Sequence, residues 1–271
     1  MSKTIFITGS STGIGKATAK FFQAKGWNVV ATMRTPEKED QLTQLENVLV
    51  TRLDVQDYAS IENAVNEAIE KFGQIDVVLN NAGYGLMGTF ESTKRESIMR
   101  QYEVNVFGLF DVTRVILPHF RANKSGLFIN VSSVGGRITF PLVSLYHSTK
   151  FAVEGFSESL HYEVEKLGIG VKILEPGAIA TDFGGRSLDF QHDEGLSDYN
   201  EFVANVMQKI SGMMSQSSTP ESVAEVIYTA ATDGTNQLRY HVGADAEQYL
   251  ALRKKTTDEE FVGVFKEQLG L

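Results

Sequence analysis

Seven short apolar runs recur along the chain: "TIFIT" at 4–8, "NVVATM" at 28–33, "VLVTRL" at 48–53, "IDVVLN" at 75–80, "GLFINV" at 126–131, "GVKILE" at 170–175 and "LRYHVG" at 238–243. They are continuous rather than alternating, and rich in Val, Ile and Leu. Strands buried on both faces read this way, as in a parallel sheet. Helical patterns separate them. "GIGKATAKFFQAKG" stops at Gly26, "YASIENAVNEAIEKFG" at Gly73 and "SESLHYEVEKLG" at Gly168. Alternating strand and helix implies βαβ crossovers, and so an α/β doubly wound parallel sheet. No repeat or linker interrupts the pattern, so one domain over 1–271 is expected. The least regular stretch is 178–219, with Gly184, Gly185, Gly195 and a helix expected at 200–213. Its place in the order of elements suggests a mobile lid or substrate loop over a site; the alternative is a long surface excursion.

The totals exclude several classes of function. With 25 basic and 34 acidic residues the formal net charge is −9, which repels polyphosphate and argues against nucleic acid as a partner. There is no cysteine, which rules out disulfides and Cys-based zinc sites and fits a reducing compartment. No run approaches the roughly 18 apolar residues of a membrane span, and "MSKTIFITGS" does not read as a signal peptide. A cytoplasmic protein without membrane association is expected. The five histidines show no HxxxH or HExxH spacing, so no catalytic metal is expected.

The first strand–helix junction reads "TIFITGSSTGIGKATAKFF". Gly9, Gly13 and Gly15 follow a GxxxGxG spacing. Glycines there admit a pyrophosphate close to the backbone, and the helix start offers unpaired N–H groups and a positive dipole end. Ser10, Ser11 and Thr12 add hydroxyl donors. A tight turn with no ligand would also use glycine. At the end of the second strand, "VVATMRTPEK" has no acid to meet the ribose hydroxyls of NAD, and Arg34 stands there instead. A guanidinium matches a 2′-phosphate, so NADP(H) is the expected cofactor; the alternative is a solvated surface arginine. Asp54, in "RLDV", is suited either to accept from an adenine amino group or to cap the helix that follows.

Five features now stand in order: TGSSTGIG at 8–15, LDV at 53–55, NNAG at 80–83, Ser132–Ser133, and Tyr146-x-x-x-Lys150, followed by "EPGAIAT" at 175–181. Together they closely resemble the short-chain dehydrogenase/reductase family over nearly the whole chain. "ATMRTPEK", "NNAGYGLMG" and "VNVFG" look most like its 17β-hydroxysteroid dehydrogenase-like branch. The resemblance implies a single-domain Rossmann-type fold with strand order 3-2-1-4-5-6-7, a homodimer or homotetramer, and a small-molecule carbonyl or alcohol substrate. It implies Tyr146 as proton donor or acceptor, Lys150 as its partner, Ser133 rather than Ser132 as the substrate-binding serine, and Asn105 supporting a water relay. Gly9, Ser11, Thr12, Gly13, Ile14, Gly15, Arg34, Asp54 and Val55 fall on the adenosine and pyrophosphate side. Asn81, Ala82 and Gly83 would line the ribose, and Pro176, Gly177, Ile179 and Thr181 would hold the nicotinamide. Asn80 would tie neighbouring strands.

Elementary chemistry accounts for this set. A carbonyl receiving hydride becomes negative, and a hydroxyl donor and an acid must meet that charge. A free tyrosine has a pKa of about 10, and an ammonium one helical turn away would lower it. His147 lies about 100° round the helix from Tyr146 and reads as a polar wall or subunit contact. Tyr84 to Met87, Gly135 to Leu142, and 178–219 are pocket candidates. Their Phe140, Leu142, Phe183, Phe190 and Phe202 suggest a moderately large apolar carbonyl compound, or simply core and interface packing. A non-catalytic NADP(H)-binding redox sensor is the rival reading. Such a protein has no need of tyrosine, lysine, serine and asparagine in register.

Overall fold

The seven apolar runs become one sheet. In the computed structural model, which describes residues 2–181, 187–213 and 217–271, the strands are β1 (Thr4–Ile7), β2 (Asn28–Met33), β3 (Val48–Arg52), β4 (Val77–Asn80), β6 (Gly126–Val131), β7 (Ile169–Pro176) and β9 (Arg239–Val242). They lie in the order β3-β2-β1-β4-β6-β7-β9, every pair parallel. Renumbered as seven, this is the expected 3-2-1-4-5-6-7. The order reverses between β1 and β4. That switch point opens a crevice at the carboxyl ends of the strands, where ligands bind in such folds.

Helices cover both faces. α1 (Gly13–Ala24) and α7 (Pro220–Thr232) pack on one face around Phe22, Val29, Ile227 and Tyr240. α2 (Tyr58–Phe72), α4 (Gly108–Asn123) and α5 (Ser144–Val164) close the other around Phe6, Ile61, Ile116 and Phe120. α2 starts at Asp57, whose carboxylate accepts from the Ser60 N–H at 3.2 Å, and ends at Gly73 with φ 80°. The capping alternative for Asp54 is thus taken by Asp57. Asn80 donates to the Asn130 Oδ1 at 2.9 Å and Asn130 to the Ser157 hydroxyl at 2.8 Å, which ties β4 to β6 and to α5.

Two elements lie outside the expected pattern. β5 (Gly85–Gly88) pairs in parallel with β8 (Leu188–Gln191) as a separate two-stranded sheet. The stretch 178–219 is therefore less irregular than its composition suggests. It also carries α6 (Asn200–Met213), the expected helix. Val203 and Val206 of α6 pack with Met87 and Leu142, with Phe202 and Leu188 against them. α8 (Ala244–Lys255) and α9 (Asp258–Leu269) build a further core with Val134 and Ile138. Phe140 packs into that C-terminal core against Tyr249 and Phe265 rather than lining a pocket. Phe190 is exposed. Phe183, Gly184 and Gly185 lie outside the described residues.

Candidate active site

The glycine-rich turn is built by close approach. Gly9 and Gly13 have φ of 73° and 55°, in the left-handed region where glycine is strain-free. A Cβ on Gly15 would meet the Gly9 carbonyl oxygen and would lie 2.7 Å from the Asn81 Nδ2. Thr12 is the N-cap of α1 and makes no side-chain cap bond. The first-turn amides of Gly13, Ile14 and Gly15 have no partner inside the helix, as at any helix start. The Ile14 side chain packs onto the core, so its amide is the part turned to use.

Asn81 secures this turn. Its Nδ2 donates to the carbonyls of Thr8 (2.9 Å) and Gly9 (3.1 Å), while the Thr8 hydroxyl accepts from the N–H groups of Asn81 and Ala82, both at 3.0 Å. The Asn81 side chain is thus spent on scaffolding. Ala82 is half-buried against the core, and Gly83 is exposed. Arg34 follows β2, is exposed, and makes no ion pair or hydrogen bond among the described residues. At the end of β3 the Asp54 Oδ1 accepts from the Gln56 N–H at 3.1 Å. The Val55 side chain is buried against Gly108, so only its backbone faces outward.

Across the turn comes the segment after β7. The Thr181 methyl stands 3.3 Å from where a Cβ on Gly13 would sit. Ile179 bridges to Ser218 and packs into the core below. The Asp245 carboxylate accepts from the Ala178 N–H at 2.7 Å and lies against Gly177. A cavity of about 400 Å³ lies among Ser11, Thr12, Gly13, Lys16, Thr181 and Pro220. The residues present fit a dinucleotide: a cradle that a Cβ would fill, first-turn amides without a partner inside the helix, and at the β2 end a guanidinium with no ion pair or hydrogen bond among the described residues.

The Tyr146, Lys150 and Ser133 side chains come together at the carboxyl end of β6. Tyr146 and Lys150 share one face of α5, with the Lys150 Nζ 5.6 Å from the Tyr146 ring centroid. Lys150 is buried and donates to the Val131 carbonyl at 2.9 Å. Ser133 follows β6; its hydroxyl accepts from the Gly135 N–H at 3.0 Å and donates to the Pro176 carbonyl at 3.4 Å. Ser133 is also the hydrogen-bond partner of the Tyr146 phenol. Ser132 instead is buried beneath Gly136.

Here one expectation is corrected. Burial pushes the Tyr146 phenol up to about 12, and only the Ser133 hydrogen bond pulls it back. Burial also brings Lys150 down to about 8, against the pull of Glu154. Desolvation disfavours both charged forms, and it outweighs the effect expected of the ammonium. The Lys150 head group is held on a strand carbonyl rather than on the phenol oxygen.

Asn105 lies in a π-helical turn, Glu103–Phe107, between α3 (Arg95–Tyr102) and α4. Its side chain is fully engaged. Oδ1 accepts from the Tyr84 N–H at 3.0 Å, and Nδ2 donates to the Tyr84 carbonyl at 2.9 Å and the Thr149 hydroxyl at 3.3 Å. It fastens the loop after β4 to α5. π-turns inside helices re-aim backbone carbonyls and recur at functional sites. His147 is buried, and its Nδ1 accepts from the Phe140 N–H at 3.3 Å. It is an internal bracket between α5 and the 135–140 loop. Burial brings its imidazole down to about 4, so it is neutral.

Among the described residues no group of three or more His, Cys, Asp or Glu is arranged to hold a metal ion. No helix among them is long and apolar enough to cross a membrane. Sequence reading missed Thr8, Asp245 and Thr149. Thr8 had a signal, as the residue opening the glycine turn.

A dinucleotide cradle at a sheet switch point, with a tyrosine, lysine and serine beside it, defines a nicotinamide-dependent oxidoreductase. Residues 3–191 match the family model described as short chain dehydrogenase, and the chain belongs to that family. It is 42% identical over 239 residues to an uncharacterised oxidoreductase of Schizosaccharomyces pombe, covering 88% of this chain and 100% of the relative. A short-chain dehydrogenase structure from Streptomyces avermitilis superposes with a TM-score of 0.84 at 31% identity, covering 100% of this chain and 99% of the other. A structure of ElxO with NADP bound superposes with a TM-score of 0.73 at 30% identity, covering 89% and 98% of the two chains.

Proposed function

We propose that this protein is an NADPH-dependent reductase of carbonyl groups on moderately large apolar substrates, reversible as an alcohol dehydrogenase. The observation that carries the reading is the Tyr146 phenol hydrogen-bonded to Ser133, one helical turn from Lys150, beside a cradle fit for a dinucleotide. When bound, the reduced nicotinamide supplies the hydride. Ser133 donates to the substrate oxygen as negative charge grows there. Tyr146 gives that oxygen its proton, and with its pKa held up by burial it is the neutral acid the reduction needs. Lys150 orients the tyrosine and the nicotinamide ribose. Asn105 acts as a positioning residue through Tyr84 and Thr149. Arg34 takes the 2′-phosphate, and Asp54 accepts from the adenine.

The apolar character of the substrate is read from the wall before the tyrosine. Leu142 and Val143 precede α5 and pack with Met87, Val203 and Phe202. The likeness to a steroid-active branch does not extend to the substrate, because substrate loops diverge while the catalytic frame persists.

The test is an NADPH-oxidation screen over aldehydes, cyclic ketones, steroids and diketones, with Tyr146→Phe as control. The variant is expected to lose about 10²- to 10⁴-fold in turnover while NADPH still binds. Full activity in Tyr146→Phe sinks the mechanism. Tight NADPH binding with no turnover on any substrate moves the reading to a redox sensor.

A further inference from the structure

A second cavity, of about 390 Å³, lies at the β9 edge of the sheet, and none of its lining residues belongs to the cradle or the Tyr146 group. Its polar wall is Arg137, Gln237, Arg239, His241, Arg253 and Lys254. Four of the six are cations, and no carboxylate lines it. That is unusual on a chain of net charge −9. Leu250, otherwise buried in the C-terminal core, completes the lining.

The charges come from three parts of the chain that the fold brings together. Arg137 follows β6, Arg239 lies on β9, and Arg253 and Lys254 sit in the last turn of α8. Carboxylates outside the lining pair with these groups, and the His241 Nε2 stands 2.9 Å from a Glu175 carboxylate oxygen. Arg239 meets Glu154 and Glu175, both buried, and Glu158. Arg137 meets Glu175 at 3.2 Å. These pairs engage the Nε and one terminal nitrogen of Arg239 and one terminal nitrogen of Arg137, out of five N–H donors on each guanidinium. Arg253 pairs with Asp258, whose side chain is 78% exposed, and an ion pair that open to water is weak. Lys254 has no ion pair or hydrogen bond among the described residues.

We propose that this cavity is a binding site for the phosphate group of a small molecule, separate from the dinucleotide cradle. Convergent guanidinium forks and an ammonium suit a phosphate dianion better than a single carboxylate. At about 390 Å³ the cavity is larger than a free phosphate and has room for an ester's carbon skeleton. The site also abuts the catalytic frame. Arg239 holds Glu154, one turn beyond Lys150 on α5, and both arginines hold Glu175, next to Pro176.

The test titrates the full chain, saturated with NADPH to fill the cradle, with glycerol 3-phosphate, inorganic phosphate and acetate at matched ionic strength. Binding is read by calorimetry and by ³¹P line broadening. Saturable binding of the ester is expected, weakened about tenfold or more in Arg253→Ala/Lys254→Ala and unchanged in Arg34→Ala. Lys254→Ala alone breaks no ion pair or hydrogen bond among the described residues, so it keeps the test valid should the double variant unfold; it is expected to weaken binding several-fold. Saturable binding of inorganic phosphate alone, weakened by the same variants, supports the site and identifies the free anion as its ligand. Acetate binding as well as phosphate, no saturable binding at millimolar concentration, or equal binding by wild type and the cavity variants would overturn the assignment. Because binding is the readout, its failure is separate from failure of the reductase reading.

Discussion

Replacing Arg34 isolates the proposed recognition of the 2′-phosphate. Arg34 is exposed just beyond β2 and makes no ion pair or hydrogen bond among the described residues. Arg34→Ala therefore breaks no ion pair, and the fold should be unaffected to within about 0.5 kcal/mol. What is lost is a charge-assisted contact to the ligand, worth about 1.5–3 kcal/mol. Exposure favours the lower end of that range, since water and salt screen the charge. A loss of about 1.5–2 kcal/mol corresponds to about 10- to 30-fold in kcat/KM for NADPH. NADH has no 2′-phosphate, so its kcat/KM should stay within about twofold. Arg34→Asp adds repulsion and should invert the preference. The assay is kcat/KM for both cofactors with one fixed substrate, at low and high salt. The wild-type advantage for NADPH should shrink as salt rises. A ratio of NADPH to NADH efficiency that is the same in wild type, Arg34→Ala and Arg34→Asp refutes the reasoning.

Three further outcomes follow from particular contacts. Gly15→Ala drives a methyl into the Gly9 carbonyl and should cost about 1–3 kcal/mol together with NADPH affinity, whereas Gly155→Ala on the exposed face of α5, with nothing within 4 Å, should gain up to about 1 kcal/mol; thermal melts with and without NADPH compare them. Asp245→Ala frees the Ala178 N–H and should cost about 1–3 kcal/mol and raise KM for cofactor, checked by melting and by initial rates. His147 is held down to about 4 from its ordinary 6.5, so the unfolded chain binds its proton first. Its contribution is complete above pH 6.5 and is lost as pH falls toward 4, about 3 kcal/mol in all. The stability difference between wild type and His147→Gln should shrink by that amount across the window in urea titrations; a difference that does not change with pH rules the burial argument out.

What could be read in the sequence depended on the range of the interaction. The strands of the main sheet are continuous apolar runs, and their parallel order follows from the helices between them. The glycine turn and the Tyr146–Lys150 pair are local, so spacing alone exposes them. β5 and β8 escaped notice because each is four residues, β5 has glycine at both ends, and each makes its ladder with a partner about a hundred residues away. Asp245 escaped for the same reason, since the amide it holds is 67 residues earlier. The helical repeat turns His147 away from Tyr146, but what it turns toward is the 135–140 loop, whose path the sequence does not state. The NNAG motif points Asn81 at the ribose. Its amide is consumed by the Thr8 and Gly9 carbonyls, a use that requires β1 and β4 to be neighbours.

The pair that burial drives toward neutrality makes the two directions of the proposed reaction unequal in pH dependence. With Tyr146 pushed up to about 12, the protonated phenol is the dominant form at every ordinary pH. Reduction needs that form, so its kcat should be nearly flat from about pH 6 to about pH 9. Oxidation of an alcohol needs the phenolate, which is scarce. The nearest ammonium on the same face is Lys150, and it is brought down to about 8, so its own charge fades where the phenolate begins to form. Oxidation should therefore climb with pH, steeply below about 8 and less so above, as the loss of the lysine charge opposes the gain in phenolate. Lys150→Arg keeps a cation at all pH and should remove the break in slope, at a cost in rate from its bulk and its altered donor geometry. The measurement is a pair of pH–rate profiles, forward and reverse, with one substrate couple. A flat oxidation profile between about pH 7 and about pH 10 would mean that the phenol is already ionised, and that Lys150 overcomes burial after all.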